Sequence, residues 1–222
     1  MPKIQAASNA EQREHTKRAI LESFGRLLYS QGLTGLTMTH VAKNAGVGRT
    51  AVYNYFADMG ELLVAYTLDE TERFMTELRG DLEGVENPVD KLAIYIRAQI
   101  DDLSRRHLPP GPAMRSVLSP EDFAKLGEHV GALRGMLTTI LQEAVDDGWL
   151  PAGDLEEMGR LVHSSLTATA DREAVSEEAR EAHERHVKAT VLFALRGLGA
   201  QFDAEGNPVR SRIEPAALSV AV

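Results

Sequence analysis

Apolar residues recur along most of the chain at intervals of three and four, the spacing of one helix face. Ile20, Phe24, Leu27 and Leu28 form the first stripe and Gly32 ends it, which predicts a helix over about 13–31. Short helices follow over 38–45 and 49–55, separated by Gly46 and Gly48. Asp58 is an acceptable N-cap for a long helix reaching about Gly84. Asn87 followed by Pro88 is a cap with proline at the first helical position, and it opens a helix to about His107. The run from Leu108 to Pro112, with three prolines and a glycine, is a breaker. Ser119 and Pro120 open another long helix, carrying Phe123, Leu126, Val130, Leu133, Leu137, Ile140, Leu141 and Val145 and ending at Gly148. Asp154 and Ser176 cap the last two, which run to about Thr169 and Gly197. No run of alternating β-branched residues appears, so no strand is predicted. Helical periodicity stops after residue 200, and 201–222 is expected to be a flexible tail.

Composition narrows the classes. The chain has 222 residues and no Cys, which removes disulfide scaffolds, Cys-ligated metal sites and thiol nucleophiles. No stretch approaches the ~18 apolar residues of a membrane span. The first residues carry no apolar signal-peptide core, so a cytoplasmic protein is expected. A formal net charge of −9 argues at first against nucleic acid. The charge is unevenly spread, however. Residues 1–66 hold seven basic and five acidic side chains, a local balance of +2, and the remainder carries −11. Such asymmetry indicates two parts with different partners.

The slightly basic part contains the most informative stretch, Met38 to Ala57. Two short helices joined by a tight turn must pack on each other and on a third helix. Val41 and Ala45 are placed to face inward, and Ala42 is small enough for close helix approach. Gly46 stands where the turn needs positive φ. Val47 plugs the turn, and Val52 and Phe56 anchor the second helix. This is a helix-turn-helix pattern, whose second helix enters the major groove.

On these residues, together with Phe24, Gly32, Leu36, Thr37, Tyr53, Tyr55, Glu61, Leu62 and Leu63, segment 14–66 resembles the DNA-binding domain of the TetR/AcrR family. The resemblance implies a homodimeric repressor with an N-terminal DNA-binding domain and a C-terminal ligand-binding and dimerisation domain. The expected fold is therefore all-α: a three-helix helix-turn-helix domain over 13–60, preceded by an arm (1–12) and followed by a helical bundle (61–200).

The residue chemistry fits a duplex. Arg49 can read guanine bidentately, and Asn54 can read adenine or bond phosphate. Thr37 and Thr39 begin the preceding helix, where hydroxyls and free N–H groups suit phosphate. Gly48 and Thr50 belong to the same surface. Either Tyr53 or Tyr55 can pack its ring partly in the core and show only its hydroxyl. The resemblance assigns phosphate to Tyr53, with Asn54 and Tyr55 nearby. Two departures stand out. Met59 occupies a position where the family often has a phosphate-holding Lys, and Gly48 replaces a common Ser.

The acidic remainder can enclose a small-molecule effector. The candidate lining is Tyr66, Phe74, Tyr95, Gln99, Met114, Val117, Met136, Ile140, Trp149 and Val162, with ordinary core as the competing reading of each. The last two helices carry Leu155, Met158, Leu161, Val162, Leu166, Val187, Val191, Ala194, Leu195 and Leu198. By family analogy they form a four-helix homodimer interface; otherwise these residues are core within one chain. His183 and His186 share a helical face, with His163, Asp171 and Glu173 as possible companions, and are read as a surface or interface group rather than a metal site. No phosphate loop, nucleophile elbow or zinc-protease motif is found, so neither cofactor nor catalysis is expected. The alternatives are a regulator answering a protein partner, an activator, or a helical ligand-binding or enzymatic protein with a vestigial helix-turn-helix.

Overall fold

The computed structural model describes residues 2–105, 114, 117–167 and 176–210. Its helices are α1 (Pro2–Gln31), α2 (Met38–Ala45), α3 (Arg49–Tyr53), α4 (Met59–Leu82), α5 (Pro88–Arg105), α6 (Pro120–Asp146), α7 (Leu155–Thr167) and α8 (Glu177–Gly197). The fold is all-α apart from one small hairpin, as the periodicity predicts.

The predicted caps are in place. Asp58 Oδ1 accepts from the Glu61 N–H at 2.9 Å, and Glu61 Oε2 accepts from the Ala57 N–H at 2.6 Å, a reciprocal cap on α4. Asn87 Oδ1 accepts from Val89 N–H, and Ser119 Oγ accepts from Asp122 N–H. Asp154 Oδ1 takes the N–H groups of Glu156 and Glu157, and Ser176 Oγ takes that of Ala179. Each bond satisfies a donor that the helix itself leaves without a partner.

Three expectations are corrected. α1 starts at Pro2, so the segment expected as an arm is helical. It contains no apolar stripe to mark it, but proline is favoured at a first helical position, and Ala, Gln and Glu propagate a helix already nucleated. Residues 201–210 are ordered, with Gln201–Phe202 (β1) pairing antiparallel with Pro208–Val209 (β2). A two-residue strand is too short to show an alternating pattern. The hairpin is held from outside: the Arg210 guanidinium lies 5.5 Å from the Trp149 ring centroid. The third correction concerns the residues read as a dimer seam. Val162, Leu166, Val187, Ala194, Leu195 and Leu198 are buried within the single chain, and Leu155, Met158 and Val191 pack partly buried against them. Of that set, Leu161 alone is largely exposed. The breaker 108–112 and the predicted end at Thr169 lie outside the described residues.

The chain forms two compact units. The first comprises Met1–Arg73 and Arg106–Val130. Its core gathers Ile20, Phe24, Leu28, Val41, Val52, Phe56, Leu62 and Leu63. Ser23 is fully buried there, and its hydroxyl donates to the Val41 carbonyl at 3.0 Å, tying α1 to α2. The second unit comprises Phe74–Arg105 and Gly131–Val222. Its core is built from Leu78, Leu92, Ile96, Ile100, Leu141, Leu166 and Val187. Burying each such side chain is worth about 1.5–3 kcal/mol.

Candidate nucleic-acid interface

Five residues are too few to sustain α3 alone, since helix nucleation is unfavourable. Its placement comes from packing. Val52 is fully buried, and Phe56 just beyond the helix is 3% exposed. Gly46 ends α2 with φ 69°, and its N–H together with the Val47 N–H returns to α2 carbonyls. A left-handed residue at this point turns the chain tightly enough to lay α3 across α2. Gly48 is the N-cap of α3 without a side-chain bond, and its carbonyl accepts from the Ala51 and Val52 N–H groups.

With the apolar side committed to the core, the opposite side is polar. Thr37, Thr39, Gly48, Arg49, Thr50, Tyr53 and Asn54 are all exposed, and Tyr55 is half-buried. The ambiguity between the tyrosines is thereby settled. Tyr53 is 43% exposed, with the Arg49 guanidinium 5.6 Å from its ring centroid. Tyr55 packs against the first core, 6.4 Å from the Phe56 ring centroid. Thr37 caps α2, accepting from the His40 N–H at 3.3 Å, which leaves its hydroxyl proton free to donate.

Residues 20–66 match the family model described as bacterial regulatory proteins, tetR family. That segment of the chain, the helix-turn-helix with its flanking helices, is therefore similar to the DNA-binding part of the tetR family. An uncharacterised HTH-type transcriptional regulator of Mycobacterium tuberculosis is 30% identical to it over 88 residues, 40% of this chain and 44% of the relative. The chain thus matches less than half the length of that curated relative. Among solved structures, the fatty acid degradation regulator FadR from Bacillus halodurans superposes with a TM-score of 0.67 at 18% identity, covering 84% of this chain and 97% of that one. FadR from Bacillus subtilis, crystallised with stearoyl-CoA, gives 0.64 at 19% identity over 82% and 96%. At such identities the likeness concerns the fold.

Three side chains near this candidate interface carry no motif signal. His40 is exposed on α2. Arg26 on α1 donates to Asn44 Oδ1 at 3.3 Å. The Arg13 guanidinium stands 5.5 Å from the Tyr55 ring centroid. Periodicity places Arg13 two turns before Ile20 on the same face, but only the folded chain brings it to Tyr55.

The candidate effector residues fall in both units. Tyr66 and Met114 pack against the first core, and Tyr66 meets Phe24 edge-to-face at 5.4 Å. Val117 is half-buried in the same unit. Phe74, Tyr95, Ile140 and Val162 are part of the second core, with Met136 and Trp149 packed against it. Met136 and Ile140 also line an open groove of about 650 Å³ with Arg79, Leu82, Lys91 and Glu143. Burial pushes the Tyr95 hydroxyl up to about 12, so it stays neutral, and it donates to the Leu133 carbonyl at 3.3 Å. Gln99 is 4% exposed and its amide makes no hydrogen bond among the described residues.

His183 lies 4.0 Å from Asp101, and His163 sits near Arg134, where burial first and that charge second lower its pKa. Asp171 and Glu173 lie outside the described residues. Among the described residues no three His, Asp or Glu side chains gather around one point, and no helix is long and apolar enough to cross a membrane.

Proposed function

We propose that this protein is a DNA-binding transcriptional regulator, acting as a homodimeric repressor that a small-molecule effector releases from a palindromic operator. One observation carries the reading. A helix-turn-helix with its apolar side fully packed presents Arg49, Thr50, Tyr53 and Asn54 outward. A vestigial unit needs the packing but not that polar set. The work is binding rather than catalysis, and a chromosomal target implies action in the cytoplasm.

Dimerisation is supported by exposed apolar side chains on α7 and α8. Leu161 is 62% exposed, Phe193 72% and Leu192 38%. Large apolar groups left in water mark interaction surfaces. A palindrome requires two recognition helices about 34–36 Å apart, which a dimer supplies. An effector that changes this separation lowers operator affinity without touching the DNA surface. Effector binding is supported by Gln99, because a buried amide that finds no hydrogen-bond partner among the described residues leaves about 1–3 kcal/mol that a polar ligand group can recover. The stearoyl-CoA held by the Bacillus subtilis neighbour supports the same reading of the helical bundle.

Selection of genomic fragments retained by the purified chain tests the proposal. An enriched inverted repeat is the expected result, and its flanking genes indicate the effector to add back. Retention of no sequence above background refutes the reading.

A further inference from the structure

The three residues 53–55 carry two parallel arrangements. The Arg49 guanidinium covers the Tyr53 ring at 5.6 Å, and the Arg13 guanidinium covers the Tyr55 ring at 5.5 Å. The first pair lies within the recognition helix. The second joins that helix's C-terminal end to α1, far outside the motif in sequence.

We infer that Arg13 is a phosphate-binding residue, so that the DNA-contact surface extends from α3 onto the N-terminal half of α1. The inference rests on the DNA-binding reading proposed above. Three observations carry it. Arg13 is exposed, and among the described residues no carboxylate lies within ion-pair distance of it. Its charge is therefore available to an anion. Its position is fixed by an aromatic face rather than by a salt bridge, which orients a guanidinium and leaves its N–H donors free. Tyr55 itself is half-buried against the first core, so the platform is rigid. Its neighbour Asn54 is exposed and ends α3. A duplex lying against Asn54 and Tyr53 thus presents its backbone to the same edge. A planar guanidinium suits a phosphate's paired oxygens.

A phosphate contact leaves a mark that a structural residue does not. It weakens all duplexes about equally and lowers the salt dependence of binding by about 0.9 per contact. Operator and scrambled duplexes are titrated with the full chain at several salt concentrations, using the wild type, Arg13→Ala, Arg13→Lys and Arg49→Ala. For a dimer, Arg13→Ala is expected to reduce the slope of log affinity against log salt by about 1.8 on both duplexes, with Arg13→Lys returning most of it. Arg49→Ala is expected to weaken the operator more than the scrambled duplex. An unchanged slope in Arg13→Ala, with Arg49→Ala still impaired, overturns the Arg13 assignment alone. Failure of the wild type to bind either duplex overturns both readings.

Discussion

The exposed Arg49 and Tyr53 side chains meet each other, so each has a role beyond its own contact. Arg49→Ala removes a charge that the proposed function assigns to base reading and should cost about 1–3 kcal/mol of operator affinity. Tyr53→Phe keeps the ring beneath Arg49 and deletes only the hydroxyl, so its cost should be near 1 kcal/mol. Fluorescence anisotropy against a selected operator measures both, with circular dichroism expected to show unchanged helicity. Equal affinity for all three proteins would remove these residues from the interface. At this scale most of the candidate surface was legible. Polar residues between Val41, Val52 and Phe56 are pushed outward by the burial of those three, and that periodicity is visible in the chain itself. Arg13 was not legible as a partner, because its contact spans 42 positions between Arg13 and Tyr55.

Two glycines separate the element-scale effects. Gly46 and Gly199 both have positive φ, at 69° and 93°. A Cβ on Gly46 meets nothing within 4 Å, whereas one on Gly199 stands 2.7 Å from Pro151 Cγ and Cδ. Gly46→Ala should therefore cost only the backbone penalty, about 1–2 kcal/mol. Gly199→Ala adds steric conflict with a rigid ring, for a total of about 2–4 kcal/mol. Urea titration ranks the two. Trp149, the single tryptophan, reports on the hairpin through Arg210, and its emission should shift in Gly199→Ala but not in Gly46→Ala. An equal cost for both would show that contact with Pro151 adds nothing. The helix starts after α1 were readable because caps are local bonds spanning a few residues. The hairpin was not, because its order depends on Trp149, far back in the chain.

At the scale of the whole molecule the surface that the proposed dimer would use is the exposed apolar set on α7 and α8. Sedimentation should give a species of twice 24.3 kDa. Phe193→Asp, alone or with Leu161→Asp, places charge in that surface and should weaken association by at least about 2 kcal/mol. Operator affinity should fall with it while the single-chain fold survives, since Phe193 contributes little to the intrachain core. A dimer unaffected by both substitutions would move the interface elsewhere. The charge distribution acts over the same range. Excess acid beyond residue 66 opposes approach of that part of the chain to DNA, and Met59 removes one phosphate-holding position, so nonspecific affinity should be modest and its salt dependence shallow.

The sequence by itself determined the helical class, the cap positions, the helix-turn-helix core and the sign of charge along the chain. All of these follow from residues a few positions apart, or from simple composition. The tertiary structure alone decided which apolar residues of α7 and α8 are spent within the chain and which remain exposed. It also decided that Tyr53 rather than Tyr55 stands outward, and that Arg13 belongs beside α3. A stripe of apolar residues says that a helix has a face to bury, but not against what. That choice is made by long-range packing, where one helix covers another and leaves the remainder for a partner.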